Sequence, residues 1–302
     1  MISINFLFFS KMASFNTSLK LLTLNVNGLR CTKTRQALFR TFKLMRLDVI
    51  ALQETYLLLE DKTLIEQEWR GPFHMSPGTK RSKGLLTLFN TTLNEYDISL
   101  LSCNDRILCS SVANEKDTIY VTNIYSPCDT LDNRISFFNT LEDVVSSLID
   151  NSNFLTDYFV VLGDFNACIN KTLDIISGNP HPDTLTNRFK TLLSSLNLND
   201  IFRLKHPFQK SYTWTRKKKN EKRTSRRLDF ILVSDEFIQF TQHVEIKSLG
   251  FSDHRAVILS CDFTSFERGP SIYKMNTNIL KNKQFVDSVK TEINNILLET
   301  KP

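Results

Sequence analysis

Side chains able to bind a metal ion or move a proton stand at the ends of apolar segments all along the chain. They are carboxylates, carboxamides, one phenol and one imidazole, at Asn25, Glu54, Tyr125, Asp164, Asn166, Asp229, Asp253 and His254. Taken singly, each has an ordinary explanation as a turn or capping residue. Apolar strands that all release polar groups at one edge of a sheet instead predict a shared polar cleft.

Carboxylates gathered in such a cleft would repel one another unless a cation lay among them. The carboxylates concerned are those of Glu54, Asp164, Asp229 and Asp253. Carboxylate and amide oxygens suit a hard divalent ion, and the sequence has no Cys/His cluster that would favour zinc. We therefore predict Mg²⁺, with Mn²⁺ as the alternative. Such an ion activates phosphoryl oxygens, which indicates metal-assisted phosphoester hydrolysis.

His254 is interpreted as the group that stabilises negative charge on the reacting phosphate. Asp229 would orient its ring and favour the protonated form, which then stabilises the pentacoordinate phosphate. Asp164 is the candidate to hold and deprotonate the attacking water, and Asn166 the candidate to position the phosphate. These four residues lie in GDFN, RLDFIL and SDH.

The elements that must position these residues alternate between apolar strands and amphipathic helices. Apolar runs bounded by polar turns predict strands at residues 20–28, 47–53, 85–90, 107–112, 118–125, 159–167, 211–215, 228–234 and 256–263. Apolar residues at helical spacing predict helices at 34–45, 131–149 and 184–196. We interpret the runs at 85–90, 107–112 and 118–125 as successive strands of one sheet, and Trp214 as a core residue.

This order of elements predicts an α/β fold in which two β-sheets pack face to face with helices outside, a four-layer α/β sandwich. Residues 19–265 would form the domain that carries the polar motifs. Residues 1–18 are predicted to be an N-terminal extension, and residues 266–302 a polar and then helical tail.

Composition bounds the class of protein. The chain has 302 residues, 41% of them hydrophobic, so it is able to bury a sizeable core. Six scattered cysteines without a C-x-x-C pair argue against a disulfide framework and favour a reducing, intracellular compartment. Since no apolar run approaches the roughly 18–20 residues that would span a bilayer, we expect no membrane association.

Positive charge is concentrated in RKKKNEKRTSRR, residues 216–227, between two predicted strands. We interpret this segment as a hairpin tip beside the cleft. Its basic residues would contact DNA phosphates, because each such contact releases a counterion; they are Arg216, Lys217, Lys218, Lys219, Lys222, Arg223, Arg226 and Arg227. A solvated turn is the structural alternative. A nuclear localisation signal is a third interpretation, compatible with DNA contact, and we predict a nuclear or nucleocytoplasmic protein.

Taken in order over about residues 19–264, the motifs LNVNGLR, LQET, NIYSP, GDFN, RLDFIL and SDH resemble the endonuclease/exonuclease/phosphatase superfamily. That superfamily includes exonuclease III-like AP endonucleases and DNase I, so the resemblance implies a DNase I-like fold. It also implies that Glu54, helped by Asn25, binds the metal, with Asp253 as a further acidic residue beside it. Tyr125 and Asn166 would contact the phosphate.

For the remaining motif residues, the resemblance implies that Asp164 acts on the nucleophile and that Asp229 pairs with His254. Within the superfamily, LNVNGLR, SYTWT, RRLDFILVS and the tail IYKMNTNIL are most similar to the endonuclease domain of LINE-type non-LTR retrotransposons. This implies a Mg²⁺-dependent endonuclease that nicks double-stranded DNA and leaves a 5′-phosphate and a 3′-hydroxyl. The tail would lead towards a reverse transcriptase, and no obligate protein partner is inferred.

Three alternatives remain open. A host AP endonuclease of DNA repair is the first, although Asn27 stands where such enzymes usually carry Asp, and Cys128 where they tend to have Asn. A phosphatase acting on lipid or inositol phosphates is the second, since a basic hairpin would bind those substrates too. A decayed, non-catalytic DNA-binding remnant is the third, but decay should strike catalytic positions at random, and all of them are present.

Overall fold

The computed structural model describes residues 18–80, 83–153, 156–176, 183–216, 224–263 and 286–291. The chain divides into two compact units, Met1–Ser265 and Phe266–Pro302. In the second unit the description is confined to residues 286–291, which are helical. Most of the predicted extension and tail therefore lies outside the described residues. Within the described ranges, no helix has the length and apolar character needed to cross a membrane.

The first of two six-stranded sheets has the strand order β14-β15-β1-β2-β4-β3, with strands numbered along the chain. Its strands are β1 (Ser18–Asn25), β2 (Val49–Gln53), β3 (Phe73–Ser76), β4 (Leu85–Phe89), β14 (Thr241–Lys247) and β15 (Ala256–Asp262). β1 and β2 run parallel, while β1 pairs antiparallel with β15. The carboxyl ends of β1 and β2 and the amino end of β15 therefore lie at the same edge.

The second sheet has the order β10-β13-β8-β7-β6-β5. Its strands are β5 (Asp97–Cys103), β6 (Ile107–Ala113), β7 (Thr118–Tyr125), β8 (Asp157–Asp164), β10 (Leu198–Asp200) and β13 (Asp229–Ser234). β7 and β8 are parallel and β13 is antiparallel to β8, which brings the ends of β7 and β8 beside the start of β13. A separate three-stranded sheet consists of β9 (Ile175–Ile176), β11 (Trp214–Arg216) and β12 (Thr224–Arg226).

The described helices of this unit are α1 (Thr32–Leu44), α2 (Lys62–Glu68), α3 (Leu131–Asp150), α4 (Lys171–Asp174), α5 (Thr184–Ser195), α6 (Ile201–Lys205) and α7 (Asp235–Ile238), with 3₁₀ turns at Leu59–Asp61 and Thr91–Leu93. Helices α1 and α2 cover the outer face of the first sheet and α3 and α5 that of the second, whereas α6 and α7 add Phe202 and Phe237 to the core between the sheets. Phe39 and Phe42 of α1 pack against the first sheet, and Phe138 and Phe189 of α3 and α5 pack against the second. The predicted four-layer α/β sandwich is confirmed.

Strands buried on both faces explain the continuous apolar runs of the sequence. In β2, Val49 and Ala51 belong to the core between the sheets, whereas Ile50 and Leu52 belong to the core under α1 and α2. A strand covered by a sheet on one side and by helices on the other needs apolar residues at every position. The apolar run therefore ends where the strand emerges from both cores, and there the polar motif begins.

One strand lies in a different sheet from the one predicted. β4 pairs with β2 and β3 in the first sheet, whereas β6 and β7 belong to the second. The grouping of 85–90 with 107–125 in one sheet was therefore wrong. β5, which intervenes along the chain, is a mostly exposed edge strand of the second sheet and was not predicted.

A buried polar network links the two large sheets directly beneath the polar strand ends. The Gln53 amide donates to Asn123 Oδ1 at 2.8 Å, and the Asn123 amide donates to Thr87 Oγ1 at 3.2 Å. All three side chains are fully buried, so their hydrogen bonds fix the register of one sheet against the other. Gln53 immediately precedes Glu54, and Asn123 is two residues from Tyr125, so the network sets the spacing of the residues above it.

Candidate active site

The polar strand ends of both sheets meet in one cleft of about 390 Å³. Its walls comprise Asn25, Asn27, Glu54, Tyr125, Cys128, Asp164, Asn166, Trp214, Arg216, Arg226, Leu228, Asp253 and His254. Asp229 lies behind His254, and its carboxylate contacts the His254 ring, which lines the cleft. The structure therefore brings together every residue for which catalysis or metal binding was predicted.

Gly163 allows β8 to deliver Asp164 to the cleft. Its φ is +152°, and a Cβ at this position would lie 2.0 Å from the backbone oxygen of Ile124. Only glycine permits so close an approach of β7 and β8. The resulting register sets Asp164 opposite both Tyr125 and Asp229, which explains why a Gly precedes the carboxylate.

Backbone in the left-handed region surrounds the cleft. The residues concerned are Asn27 (φ 48°), Glu54 (51°), Tyr56 (56°) and Asn166 (46°). Asn adopts this conformation readily, but Glu and Tyr do so at a cost of roughly 1–3 kcal/mol each. The surrounding fold therefore imposes the conformation of Glu54 and Tyr56, and strain of this kind is typical of functional sites.

His254 and Asp229 form a buried pair with Nδ1 and Oδ2 2.8 Å apart. The pair is held from behind, because the Asp229 amide donates to Thr213 Oγ1 and the His254 amide donates to Ser252 Oγ. Burial alone would lower the pKa of His254, but the Asp229 carboxylate outweighs it and raises that pKa well above its ordinary value. The ring is therefore cationic at neutral pH and retains Nε2 for a substrate.

The Asn25 amide joins two of the carboxylates. Its Nδ2 donates to Glu54 Oε1 at 2.8 Å and to Asp164 Oδ2 at 2.9 Å. Asp164 is also held by the backbone amide of Asn166, at 2.9 Å. Burial, together with the charge of Asp229, raises the pKa of Asp164. A carboxyl group with a raised pKa is a better proton acceptor, as a general base requires.

Tyr125 and Asn166 also line the cleft, and the Tyr125 side chain hydrogen-bonds to Glu54. The Asn166 amide donates to the backbone oxygen of Ser126 at 2.8 Å, which fixes its carboxamide. Burial and the neighbouring Glu54 carboxylate raise the pKa of Tyr125, so its phenol keeps its proton. The Arg106 guanidinium lies over the Tyr125 ring, 5.2 Å from its centroid. Both side chains thus offer neutral donors to an anion.

The donor chemistry of the cleft fits a divalent cation. Glu54 is half-buried and Asp253 exposed, so both carboxylates are open to the cleft. Asp229 Oδ1 is buried without a hydrogen-bond partner among the described residues, and ligand atoms of Asp164, Asp229 and His254 lie within 4.8 Å of one another. A metal-binding His must be neutral, however, and His254 is cationic. Glu54 and Asp253, with Asn25, are therefore the better candidates to hold the ion.

The basic segment divides into three parts. Arg216 and Arg226 are exposed and line the rim of the cleft on β11 and β12. Arg227 is 1% exposed and binds Asp174 and Asp200, at 2.8 Å and 2.6 Å, so its assignment to DNA contact was wrong. Successive side chains of an extended chain point to opposite faces, so Arg226 faces solvent and Arg227 faces the interior. The other predicted DNA contacts lie outside the described residues; they are Lys217, Lys218, Lys219, Lys222 and Arg223.

Two aromatic residues of the site differ from expectation. Trp214, predicted to be a core residue, is half-exposed in the cleft wall, where Nε1 donates to Asp253 Oδ2 at 3.1 Å. Tyr56, which no motif indicated, donates to Glu54 Oε2 at 2.6 Å. Its closeness in sequence to Glu54 was the only available signal, because a left-handed backbone obeys no strand or helix periodicity.

Comparison with known proteins gives a consistent result. The model of the Endonuclease/Exonuclease/phosphatase family matches residues 22–254. The Transposon TX1 uncharacterized 149 kDa protein of Xenopus laevis is 27% identical over 282 residues. That match covers 90% of this chain but only 20% of the relative, so the chain spans about a fifth of the relative's length.

Solved structures share the fold. The AP endonuclease LMAP of Leishmania major superposes with a TM-score of 0.70 at 19% identity, covering 81% of this chain and 88% of that one. The endonuclease domain of TRAS1, a telomere-specific non-LTR retrotransposon, superposes with a TM-score of 0.58 at 13% identity, covering 80% and 98%. The fold is therefore the DNase I-like sandwich that was predicted.

Proposed function

The chain belongs to the endonuclease/exonuclease/phosphatase family, and from that premise we propose that it is a divalent-metal-dependent DNA endonuclease, the target-nicking domain of a non-LTR retrotransposon. The arrangement of side chains in the cleft is the main support for this proposal. The cleft sets the His254 cation, paired with Asp229, and the base candidate Asp164 around one open space, with Glu54 joined to Asp164 through the Asn25 amide. The similarity to the transposon TX1 protein supports the retrotransposon origin.

In the proposed reaction, Asp164 accepts a proton from water, whose oxygen attacks the phosphorus of a DNA phosphodiester. The bond from phosphorus to O3′ breaks, and O3′ takes up a proton, which leaves a 5′-phosphate and a 3′-hydroxyl. His254, as a cation, stabilises the negative charge that develops on the phosphate oxygens. Tyr125 and Asn166 donate hydrogen bonds that fix the phosphate between these groups.

A divalent ion, Mg²⁺ by preference, would bind to Glu54, Asn25 and Asp253 and supply positive charge that offsets the phosphate. Duplex DNA would approach along the rim that carries Arg216 and Arg226. These two cations position the backbone without reading sequence. Nuclear localisation follows from a genomic DNA substrate and stays a prediction.

A plasmid-nicking assay tests this proposal. Supercoiled plasmid is incubated with Mg²⁺ and the wild-type chain, His254→Ala, or the matched control His243→Ala, whose exposed imidazole lies on β14. We expect open-circular product from the wild type and the control, and none from His254→Ala or in EDTA. DNA ligase should then reseal the nicks, because only a 5′-phosphate beside a 3′-hydroxyl is a substrate for it.

The same assay separates the alternatives. A duplex with a single abasic site, cut far faster than intact DNA, would identify an AP endonuclease, the activity named for the Leishmania relative of this fold. Release of phosphate from inositol phosphates without DNA nicking would identify a phosphatase. If the wild type and His254→Ala both bind DNA but neither nicks it, the chain is a DNA-binding module without catalytic activity.

A further inference from the structure

The Tyr56 hydroxyl lies between two side chains of the cleft. It is 2.6 Å from Glu54 Oε2 and 3.0 Å from Asn27 Oδ1. A phenol has one proton and so donates one hydrogen bond. The contact with Glu54 is shorter and its acceptor is a carboxylate, which makes the stronger, charge-assisted bond. The proton therefore belongs to the bond with Glu54.

Both oxygens of Glu54 are thereby fixed. Tyr56 donates to Oε2, and the Asn25 amide donates to Oε1. A carboxylate held at both oxygens cannot rotate about its terminal bond, and its remaining lone pairs keep one direction. Without the Tyr56 phenol, the carboxylate would keep the Asn25 amide and the side-chain hydrogen bond with Tyr125, but it would lose its 2.6 Å hydrogen bond at Oε2.

The backbone is shaped to bring this phenol to Glu54. Tyr56 has φ +56°, and its amide donates to the backbone oxygen of Lys83 at 3.0 Å. Its ring packs against Gly28, where an added Cβ would lie 3.0 Å from the ring at a φ of +106°. The amide of Gly28 in turn donates to the Glu54 backbone oxygen at 2.7 Å. A strained tyrosine seated on a glycine is a specific arrangement, which a solvated side chain would not need.

We propose that Tyr56 is a positioning residue, whose hydroxyl orients the Glu54 carboxylate and thereby sets the affinity of the cleft for its divalent ion. The proposal rests on the proposed function, since it assumes that Glu54 binds the metal. Groups that hydrogen-bond to metal ligands typically change metal affinity about 10- to 100-fold when they are removed.

The test measures Mn²⁺ binding to the full chain without DNA, by isothermal titration calorimetry. The variants are Tyr56→Phe, Glu54→Gln and their double mutant, with Tyr120→Phe as the matched control for losing a half-buried phenol on β7. We expect Tyr56→Phe to weaken Mn²⁺ binding about tenfold or more, and Tyr120→Phe to leave it unchanged. In the Glu54→Gln background, Tyr56→Phe should have no additional effect.

Wild-type affinity in Tyr56→Phe would overturn the proposal. So would an equal loss in the Glu54→Gln background, because Tyr56 would then act through another group. In nicking assays, the Mg²⁺ concentration for half-maximal rate should rise about tenfold or more in Tyr56→Phe, while the rate at saturating Mg²⁺ changes less. A wild-type chain that binds Mn²⁺ but never nicks DNA would refute the endonuclease and leave the role of Tyr56 intact.

Discussion

Two clusters of carboxylates in this domain differ in how their charge is balanced. Behind the three-stranded sheet, Asp174 and Asp200 are buried against Arg227, and Arg203 adds a second cation to Asp174 at 2.7 Å. In the cleft, His254 forms an ion pair with Asp229 at 2.8 Å, and Arg216 and Arg226 at the rim are the other cations of the described lining, against the four carboxylates of Glu54, Asp164, Asp229 and Asp253. The first cluster is neutral, whereas the second has an excess of negative charge.

The balanced cluster is sealed. Arg227 makes four hydrogen bonds to the two aspartates, and its guanidinium packs 4.4 Å from the Phe230 ring centroid. Burial alone would lower the pKa of Arg227, but the two aspartates outweigh it and raise that pKa, so the guanidinium stays cationic. A closed, neutral cluster has no place for a ligand and supports the fold alone.

The unbalanced cluster is open and incompletely satisfied. Asp229 Oδ1 has no hydrogen-bond partner in the described ranges, and burial together with Asp229 raises the pKa of Asp164. Groups that repel one another in an open cleft are stable only because the rest of the fold holds them there. Charge balance, more than the number of acidic residues, therefore separates the structural cluster from the candidate active site.

The largest expected effect is on the balanced cluster. Arg227→Met should lower the free energy of unfolding by about 3–5 kcal/mol, because it leaves two buried carboxylates with too few cations. Arg226→Met, one residue away but exposed, should change it by less than about 0.5 kcal/mol. Urea denaturation in EDTA measures both. Equal stability of the two variants would contradict the distinction between the clusters.

Replacing one aspartate by asparagine should change the free energy of unfolding in opposite directions in the two clusters. Asp164→Asn should slow nicking by about 100-fold or more, since the base is lost, without the destabilisation expected of Asp174→Asn. Burial and Asp229 raise the pKa of Asp164 to about 7, above its unfolded value of about 4. The contribution of Asp164 to the stability of the wild type therefore falls as pH rises through that window, because the folded state binds the extra proton.

In EDTA, the free energy of unfolding of Asp164→Asn minus that of the wild type should accordingly increase between pH 4 and pH 7, about the span of those two pKa values, and then level off. Denaturation at several pH values measures this difference. A difference that stays constant with pH would show that Asp164 is not a destabilised carboxylate.

Strands that are buried on both faces could be predicted from the sequence alone. β2, β7 and β8 have apolar residues on both faces, and their ends were recognisable because a polar motif interrupts each run. β5 was not predicted because its sequence, DISLLSC, breaks the alternation of apolar and polar residues at Leu101, where the pairing register also shifts between Leu100 and Ser102. The sheet to which β4 belongs depends on pairing between distant segments, and no local pattern encodes that.

In the site, motif residues were predictable because they adjoin buried strands. Arg226 and Arg227 were indistinguishable in a run of basic residues, since only the path of β12 decides which one faces inward. Tyr56 was not recognised because its left-handed backbone follows no periodicity. Chemistry could therefore be predicted from residue type, whereas orientation required the fold.

A divalent ion that binds at the unbalanced cluster should raise the free energy of unfolding of the chain. The balanced cluster offers no site for such an ion. Mg²⁺ at 100 times its Kd should stabilise the wild type by about 2.7 kcal/mol, since binding favours the folded state. Glu54→Gln should lose most of this gain, while Glu95→Gln, an exposed glutamate outside the cleft, should keep it. Thermal unfolding with and without Mg²⁺ measures the shift. A Glu54→Gln chain that responds like the wild type would place the ion elsewhere.

The smallest expected effect concerns the cations at the rim. Arg216→Ser and Arg226→Ser should each reduce the dependence of log affinity for duplex DNA on log salt concentration by about one unit, as the loss of one phosphate contact predicts. Arg40→Ser, an exposed change on α1, serves as the control. Fluorescence anisotropy in EDTA, over a series of KCl concentrations, gives the slopes. If the rim variants keep the wild-type slope, Arg216 and Arg226 do not contact DNA phosphates, and the assignment of these two exposed arginines to the DNA interface would be refuted.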